Sequence, residues 1–289
     1  MPQTILGKNN ILFLCNDSSN ELEIHCKNIN LVSDPTLSRY DFNIDNFFIV
    51  VFPDKSIYYK DYLPDRYIVN YRPALDIYTN KFKNKLFDAY DSLKNVSDAY
   101  YKTDTHINFK GAYQTYLDFI NKINITYNLD LIPKQINISI LKNVELSQLN
   151  YGIGDLTWGT NLGDLKLDNI TDNFYYSNDV KEFYMRHIIT EKDDIRFLDY
   201  SLNDKTQKLN NQIVDWEIIS KHIIYKKNNN VKNEKKIVIF YDSFIVGSLP
   251  LYLDIFYEVW FIKYTYNHAL ISLINPDFVF EFRVERFLM

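Results

Sequence analysis

The chain has 289 residues, a length that fits about two domains or one large α/β domain. Hydrophobic residues make up 46% and charged residues 24%, which argues against wholesale disorder and against a fibrous repeat. The 32 Lys and Arg residues are outnumbered by 37 Asp and Glu, and the resulting net charge of −5 has the wrong sign for a nucleic-acid-binding surface. We therefore expect a folded globular protein that has no nucleic-acid partner.

Glycine is unusually rare, which argues against the glycine-rich loops that bind nucleotides. The chain has 7 glycines, whereas average usage of about 7% would give about 20. Gly152 and Gly154 begin a G-x-G pattern, but Thr157 stands where the dinucleotide fingerprint has its third glycine. Gly154 and Gly159 have the spacing of a P-loop, yet no Lys-Ser or Lys-Thr pair follows. Neither nucleotide motif is complete.

Cysteine and histidine spacing gives no sign of a metal site. Cys15 and Cys26 are the 2 cysteines of the chain, and they form no C-x-x-C pair. No histidine stands at zinc-finger spacing from either of them. We expect neither a metal nor a cofactor. A reducing compartment, or a core too large to need disulfides, is consistent with this cysteine usage.

The sequence shows no targeting or membrane-spanning segment. Residues 1–8 lack the basic and apolar regions of a secretory signal. The most apolar window, Phe244 to Ile262, contains a proline and two acidic residues, and it predicts a helix followed by a strand. We therefore expect no transmembrane segment and a cytoplasmic protein, or a periplasmic or extracytoplasmic one if a leader has been trimmed from the chain.

The first half of the chain predicts one buried strand, two helices and a half-buried strand. Phe47 to Phe52 is an unbroken apolar run of strand length, and it leads into a loop at 53–55. Lys81 to Lys94 and Gly111 to Lys122 carry apolar residues at helical spacing and predict helices packed on a sheet. Ile136 to Ile140 alternates strictly, as a strand with one buried face does.

The second half predicts an insertion and then a regular α/β segment. Residues around 142–235 are rich in Asn and Asp and predict an irregular, β-containing insertion, with one strand around Trp216 to Tyr225. After it come strands at Ile237–Phe240, Val259–Lys263 and Phe278–Phe282, with helices between them at Leu249–Phe256 and His268–Ile274. This β-α-β-α-β order with short connections predicts parallel strands in a three-layer α/β/α sandwich. We expect a single domain over residues 1–289.

Ser243 stands where such a fold places chemistry. It follows the strand Ile237–Phe240 through Tyr241 and Asp242, and ligands of open α/β sheets gather at the carboxyl ends of the strands. A serine there can present its hydroxyl to solvent, and its N–H can serve as one oxyanion donor if it lies near a helix N-terminus. The alternative is that Asp242 or Ser243 simply caps a helix.

Asp104 and His106 form an Asp-x-His pair in the segment T-D-T-H. Residues two apart in an extended segment project to the same side, so the carboxylate can orient the imidazole and stabilise its protonated form. His106 would then be the general base for Ser243. The alternative is an ordinary solvated loop, in which Asp and His are common polar residues.

Several segments resemble one known family in the same order. The stretch from Tyr100 to Tyr113 resembles the Y-x-T-D-T-H-W-N-x-x-G-A signature of the alginate O-acetyltransferase (AlgX/AlgJ-like) branch of the SGNH hydrolase superfamily. The other similar segments are Leu12–Asp17, Phe52–Lys55 with Tyr62–Pro64, Arg72–Leu75, Gly154–Leu156, Phe240–Phe244 and Pro276–Leu288. The resemblance spans nearly the whole chain, and its specificity lies in order and spacing.

The resemblance implies a permuted SGNH fold, in which the Asp-x-His element precedes the serine. It also implies a catalytic triad that forms an acyl-serine and passes the acetyl group to a sugar hydroxyl. Carried over by position, Ser243 is the nucleophile, His106 the base and Asp104 the residue that orients the base. Asp242 matches the position that holds the nucleophile turn. Chemistry of this kind needs no metal or cofactor.

The sequence departs from the family at two positions, and three further residues are candidates for supporting roles. Tyr241 replaces the glycine of G-D-S, where its large side chain either narrows the nucleophile turn or contacts substrate. Ile107 replaces a tryptophan suited to stacking on sugars. Asn108 and Asn16 are candidates for a second oxyanion donor, with a turn role as the alternative. Arg72 either binds substrate or holds a loop.

The leading functional prediction is a carbohydrate O-acetyltransferase that acts on a polysaccharide or an oligosaccharide precursor. An acetylesterase with the same triad is an alternative, because water can replace the sugar hydroxyl. A carbohydrate-binding relative without activity is the other alternative. The expected partners are a carbohydrate acceptor and an acetyl donor, either a membrane acyl-transfer partner or a soluble thioester. If the triad is real, the Ser243 Oγ lies within about 3.5 Å of the His106 Nε2.

Overall fold

The computed structural model describes residues 3–31, 37–40, 45–145, 154–158, 171–177 and 223–288. In chain order its strands are β1 (Gln3–Leu6), β2 (Leu12–Cys15), β3 (Phe47–Phe52), β4 (Leu86–Asp88), β5 (Ser139–Glu145), β6 (Thr171–Tyr176), β7 (Ile223–Lys227), β8 (Lys236–Tyr241), β9 (Glu258–Ile262) and β10 (Phe278–Val284). Its α-helices are α1 (Glu21–His25), α2 (Lys55–Tyr58), α3 (Pro73–Phe82), α4 (Tyr90–Leu93), α5 (Phe109–Tyr127), α6 (Leu249–Leu253) and α7 (His268–Ile274). None of these helices has the length and apolar character needed to cross a bilayer.

A central sheet of 6 strands has the order β4-β3-β10-β8-β9-β7. Each neighbouring pair from β4 to β9 is parallel, and β7 joins β9 as an antiparallel edge strand. Every residue of β3 and β10 is buried, as expected for parallel strands that are covered on both faces. The mainly parallel sheet predicted from the sequence is confirmed.

Helices cover both faces of the sheet because alternate residues of each strand point to opposite sides. Phe48 and Phe52 of β3 belong to one hydrophobic cluster, which contains residues of α5 and α6. Ile49 and Val51 belong to a second cluster, which contains residues of α3 and α7. This layering agrees with the predicted α/β/α sandwich. The permuted motif order, the single-domain boundary and the insertion remain predictions.

Helix α5 lies directly after the Asp-x-His segment and fixes where that segment leaves the core. Asn108 caps its first turn, since the Asn108 side chain accepts a hydrogen bond from the Gly111 N–H. The helix ends at Asn128, whose φ of 50° is the left-handed conformation typical of a helix C-terminus. Gly111 is required in the first turn, because an added Cβ would lie 2.6 Å from the Ala99 carbonyl oxygen.

Two small sheets flank the loop that carries the Asp-x-His pair. Strands β1 and β2 form an antiparallel hairpin, and the Leu12 N–H of β2 donates to the Lys102 carbonyl at 2.8 Å. Thr4 of β1 donates its hydroxyl proton to the Leu156 carbonyl at 2.6 Å. Strands β5 and β6 form the second antiparallel pair. These additions support the site from outside the central sheet.

Most of the predicted elements are present, with one clear error. The strand at Phe47–Phe52 and the helix at His268–Ile274 are confirmed, and the helix predicted at 111–122 lies within α5. The single helix predicted at Lys81–Lys94 is wrong. Helix α3 ends at Phe82, Lys83 has a φ of 54°, and the chain then forms β4 and the short α4. The apolar residues of this segment belong to the end of α3, to β4 and to α4, and these separate elements together imitate helical spacing.

Two predicted strands are shifted along the chain. The alternating segment at 136–140 contributes only its last residues to β5, which begins at Ser139. The strand predicted around 216–225 overlaps β7, which begins at Ile223, and residues 178–222 lie outside the described residues. Strand β7 is part of the central sheet, so the range predicted as an insertion contains at least one edge strand of the core.

Candidate active site

The turn after β8 presents Ser243 at the carboxyl edge of the sheet. Asp242 is buried, and its carboxylate accepts hydrogen bonds from the Phe244 N–H at 2.8 Å and from the Val284 N–H at 2.9 Å. The first bond caps the 3₁₀ helix that starts at Ser243, and the second ties the turn to the end of β10. Ser243 itself is exposed. Asp242 therefore caps the turn and holds it in place, as both interpretations of the sequence anticipated.

Tyr241 does not close this turn. It is the last residue of β8, its backbone is not in the left-handed region, and only 4% of the residue is exposed. Its ring packs inside the protein, with its centroid 6.4 Å from that of Phe261. Burial raises the pKa of the Tyr241 hydroxyl to about 12. The substrate-binding role predicted for Tyr241 is not supported by this burial.

The structure brings Ser243 together with His106 and Asp104. His106 Nε2 lies 3.3 Å from the Ser243 Oγ, although the two residues are 137 positions apart in the chain. His106 Nδ1 lies 2.5 Å from Asp104 Oδ1, and the carboxylate requires this nitrogen to be the protonated one. In the neutral ring, Nε2 then carries no proton and can accept a hydrogen bond from the serine hydroxyl. The distance between Ser243 and His106 lies within the limit expected from the sequence.

His106 is held in position from two sides. Its backbone N–H donates to Asp104 Oδ1 at 2.9 Å, so a single carboxylate oxygen binds both its main chain and its ring. The imidazole also stacks on the ring of Phe244, with centroids 5.9 Å apart and planes at 27°. Phe244 follows Ser243 directly, and the same turn therefore positions both the hydroxyl and one wall of the imidazole site.

Asp104 is in turn held by a segment distant in sequence. Only 1% of the residue is exposed, and its Oδ2 accepts the N–H groups of Gly154 at 2.9 Å and Asp155 at 3.2 Å. Gly154 has a φ of 106°, which side chains disfavour, so glycine is needed where the backbone turns its N–H toward the carboxylate. Asp155 accepts from the Thr105 N–H at 2.7 Å and from the Thr105 hydroxyl at 2.6 Å.

Two further residues bind the same loop and were not identified from the sequence. Asp172 of β6 accepts hydrogen bonds from the N–H groups of Lys102 at 3.0 Å and Thr103 at 2.9 Å. The Lys55 ammonium of α2 donates to the carbonyl oxygens of Lys102 at 2.8 Å and Asp104 at 3.1 Å. Lys55 and Gly154–Asp155 lie in segments that resemble the family, and this resemblance is the sequence feature that could have identified them. Asp172 had none, because its role comes only from tertiary contact.

The second oxyanion donor predicted at Asn108 or Asn16 is not supported. Asn108 is 1% exposed, its Oδ1 accepts from the Gly111 N–H at 3.1 Å, and its amide donates to the Asp98 carbonyl. Asn16 donates its amide to Gln3 Oε1 at 2.7 Å, and its φ of 50° is typical of a turn. Both residues fill the structural roles weighed as alternatives.

Arg72 is engaged in ion pairs. Its Nη1 donates to Asp88 Oδ2 at 2.7 Å, and its Nε donates to Glu285 Oε2 at 2.7 Å. Asp88 ends β4 and Glu285 follows β10, so the guanidinium joins two strands that lie on either side of β3. The substrate-binding role predicted for Arg72 is not supported by these contacts, which fit the alternative of holding a loop.

Asp104, His106 and Asp155 offer ligand atoms that lie within 4.8 Å of one another, close enough for a metal ion. The same atoms already have protein partners. Asp104 binds His106, Gly154 and Asp155, while the Asp155 carboxylate binds Thr105. A cation at this point would have to displace the hydrogen bonds that shape the loop. The donor set therefore fits proton transfer better than metal binding.

Comparison with known proteins identifies the fold. No family model matches the sequence, and no curated protein matches it significantly. Among solved structures, Bacillus cereus PatB1 has a TM-score of 0.61 at 16% identity, covering 100% of this chain and 97% of PatB1. A DHHW family protein from Eubacterium siraeum DSM 15702 has a TM-score of 0.57 at 17% identity, covering 99% and 95%. The O-acetyltransferase domain of Pseudomonas putida AlgJ has a TM-score of 0.50 at 14% identity, covering 100% and 92%. The resemblance to AlgX/AlgJ-like proteins is confirmed at the level of the fold.

Proposed function

We propose that this protein is a carbohydrate O-acetyltransferase in which Ser243 is the nucleophile, His106 the general base and Asp104 the residue that orients the base. The observation that carries the proposal is the chain of contacts from a buried carboxylate, through an imidazole, to an exposed hydroxyl. This arrangement activates a serine that is otherwise a weak nucleophile. The fold shared with the AlgJ O-acetyltransferase domain supports acetyl transfer as the reaction.

The geometry supports a reaction in two steps. First, His106 Nε2 takes the proton of Ser243 while Oγ attacks the acyl carbonyl, and the imidazolium then gives this proton to the departing group. Second, His106 takes a proton from the acceptor hydroxyl as that oxygen attacks the acyl-serine, and the imidazolium gives this proton to Ser243 Oγ, which leaves as the free alcohol. Asp104 keeps Nδ1 protonated throughout and stabilises the imidazolium in both steps.

The negative charge on the reacting carbonyl oxygen needs hydrogen-bond donors. The N–H of Ser243 is the donor we propose, because it lies at the start of the 3₁₀ helix that begins there. A single such donor contributes roughly 3 kcal/mol to transition-state stabilisation. The proposed acceptor is a sugar hydroxyl of a polysaccharide or an oligosaccharide precursor. The proposed acetyl donor is a soluble thioester if the protein works in the cytoplasm, or a membrane acyl-transfer partner if it works outside the cytoplasm.

An acetylesterase is the second candidate, and one observation favours it. Ser243 is exposed, so water can reach an acyl group on its oxygen. Hydrolysis would follow the same two steps, with water in place of the sugar hydroxyl. The two activities differ only in the acceptor, and an acceptor-dependence measurement therefore separates them.

The test is turnover of p-nitrophenyl acetate with and without an acetyl-accepting oligosaccharide. Release that increases with acceptor and yields acetylated sugar supports transfer, while release independent of acceptor indicates an esterase. Ser243→Ala is expected to remove either activity. Ser272→Ala is the matched control, because its hydroxyl also lies 3.3 Å from a histidine, His268, on α7. The Ser272→Ala variant should be as active as the wild type.

A covalent probe gives an independent measurement. A sulfonyl fluoride is expected to add one sulfonyl group to the wild type at Ser243 and none to Ser243→Ala, as read by intact mass and peptide mapping. A sulfonyl adduct has been solved for the similar protein PatB1. If the protein releases no acetate in a Ser243-dependent manner and is not labelled at Ser243, the enzymatic proposal is wrong and the binding-only alternative remains.

A further inference from the structure

Lys55 is a buried lysine directly under the loop that carries His106. Only 3% of the residue is exposed, and its ammonium donates to two carbonyl oxygens of the loop, those of Lys102 and Asp104. The ammonium also lies 5.7 Å from the centre of the Phe13 ring. Burying an ammonium costs free energy unless charges or hydrogen bonds compensate for the loss of water. The two carbonyl groups supply part of that compensation.

Carboxylates supply a further part. Asp104, Asp155 and Asp172 surround the same loop, and these three and Glu21 of α1 all favour the charged form of Lys55. Burial nevertheless lowers the pKa of Lys55 to about 8. The backbone of the loop is therefore bound by carboxylates, which accept hydrogen bonds, and by an ammonium group, which donates them. The carboxylates bind its N–H groups, and Lys55 binds its carbonyl oxygens.

Charges of both signs lie near His106. Oxygens of Asp104 and Asp155 lie 2.5 Å and 3.6 Å from His106 Nδ1, which places two carboxylates beside the imidazole. Asp172 adds negative charge on the far side of the loop. Lys55 is the cation held against this cluster. The turn after β8 faces the ring with the neutral groups of Ser243 and Phe244 and with the buried Asp242 behind them.

We propose that Lys55 is a positioning residue for His106: it fixes the carbonyl oxygens of the loop, and its positive charge opposes that of the carboxylates that surround the loop. A general base must be unprotonated when the serine attacks, and excess negative charge around it would leave it charged and inactive near neutral pH. The charge of Lys55 thus sets the pH range in which His106 works. The inference about proton affinity stands on the contacts alone, while its consequence for activity rests on the proposed function.

The direct test follows the protonation of His106 by NMR. Histidine-labelled protein is titrated from about pH 5 to 9, and the His106 signal among the 5 histidines is assigned with His106→Gln. Lys55→Met is expected to raise the pH midpoint of the His106 titration by about 0.5 to 1 unit, because a nearby positive charge is lost. Lys55→Arg, which keeps the charge, should restore a midpoint close to that of the wild type.

Two further variants separate charge from shape. Lys60→Met removes an exposed charge just after α2 and should leave the midpoint within about 0.2 units of wild type. Asp155→Asn removes a negative charge beside Nδ1 and should lower the midpoint. Opposite shifts in Lys55→Met and Asp155→Asn support the proposal. Shifts in the same direction, or no shift in Lys55→Met, overturn it.

A second variant covers the case that Lys55→Met does not fold. Lys55→Gln can still donate hydrogen bonds to the carbonyl oxygens of Lys102 and Asp104 but carries no charge. It should raise the midpoint of the His106 titration in the same direction, and a folded Lys55→Gln with an unchanged midpoint overturns the proposal. These NMR results do not depend on catalysis. A protein without Ser243-dependent activity would disprove the proposed function, whereas the NMR titrations alone decide the role of Lys55. If the enzyme is active, the acid limb of its pH–rate profile should shift upward in Lys55→Met by the same amount.

Discussion

Asn108 lies two residues after His106 and uses its whole side chain to start helix α5. One amide oxygen accepts from the Gly111 N–H, and the amide nitrogen donates to the Asp98 carbonyl. An N-cap of this kind stabilises a helix by about 1 kcal/mol. Because α5 begins immediately after the Asp-x-His pair, the cap also fixes the direction in which the His106 loop enters the helix.

Replacing Asn108 with alanine distinguishes a structural role from a catalytic one. We expect a loss of about 1 to 2 kcal/mol in the free energy of unfolding, since the cap and the bond to Asp98 are both removed. Turnover per folded molecule should fall less than about fivefold. Urea denaturation and the p-nitrophenyl acetate assay measure the two effects.

Asn267→Ala is the matched control for that change. Asn267 caps α7 in the same way, with its side chain accepting from the Leu270 N–H at 3.1 Å. The Asn267→Ala variant should lose about 1 kcal/mol in the free energy of unfolding and keep the turnover of the wild type. A fall of about a hundredfold or more in the activity of folded Asn108→Ala, as expected for loss of an oxyanion donor, would show that the capping interpretation is incomplete.

At the scale of elements, the site is assembled from a strand end, a loop and a short 3₁₀ helix. Ser243 follows β8, His106 precedes α5, and the 3₁₀ helix Asp155–Trp158 holds Asp104 through the backbone that leads into it. Gly154 precedes the 3₁₀ helix Asp155–Trp158 and is the residue at which the backbone turns toward the His106 loop. Its φ of 106° lets its N–H point at the Asp104 carboxylate.

Gly154→Ala should therefore damage both stability and activity. A side chain at this positive φ costs about 1 to 3 kcal/mol, and relieving the strain would move the N–H away from Asp104. Asn275→Ala is the control, because Asn275 has a φ of 50° at the end of α7. It should lose stability without losing turnover per folded molecule. If Gly154→Ala keeps full activity, Asp104 does not depend on this bond.

The sequence predicts those elements and residues whose signal is local. Buried runs such as 47–52 and 278–282 identify parallel strands because both of their faces are covered. The Asp-x-His pair and Ser243 could be predicted from a motif and from the end of a strand. Lys55 and Asp172 could not be given a role, since each meets the His106 loop only through long-range contacts. The 81–94 segment misled because a strand of 3 residues is too short to show alternation.

At the scale of the whole molecule, buried charged and polar side chains join segments that are distant in the chain. Arg286, after β10, donates to Asp54 at 2.9 Å and to Glu21 at 3.3 Å. His25 lies between the Tyr71 carbonyl at 2.7 Å and Asp54 at 3.2 Å. All of these side chains are nearly or fully buried. Breaking one such pair leaves an uncompensated charge in the core, which is strongly destabilising.

This network predicts that the protein loses stability as the pH rises from about 5 to 7.5. Burial raises the pKa of Glu285 to about 7, against the opposing effect of Arg72. Burial and the nearby Asp54 raise the pKa of Glu21. Burial lowers the pKa of His25, but the hydrogen bond to Asp54 and the negative charges of Asp54 and Glu285 together outweigh burial, so the net direction is upward. Groups with a raised pKa bind protons more tightly when folded, and their stabilising contribution is lost as pH rises through the folded value.

Thermal denaturation across this pH range measures the effect. We expect the midpoint to fall by several degrees between about pH 5 and 7.5. Asp54, whose pKa is lowered, acts in the opposite direction only below its ordinary range and does not contribute here. Glu285→Gln should flatten the profile, whereas Glu234→Gln at an exposed position should not. A profile that rises toward pH 7.5 would contradict the assigned directions.

The place of β10 in the sheet has a consequence for biosynthesis. It lies between β3 and β8, yet it follows every other strand of that sheet in chain order. Until residues 278–284 have been made, the β3–β4 pair and the β7–β8–β9 group have no strand to join them, and each leaves an open edge. The nascent polypeptide therefore cannot close its core until the segment 278–284 has left the exit tunnel, and a chaperone that shields those edges would have the most to protect at that moment.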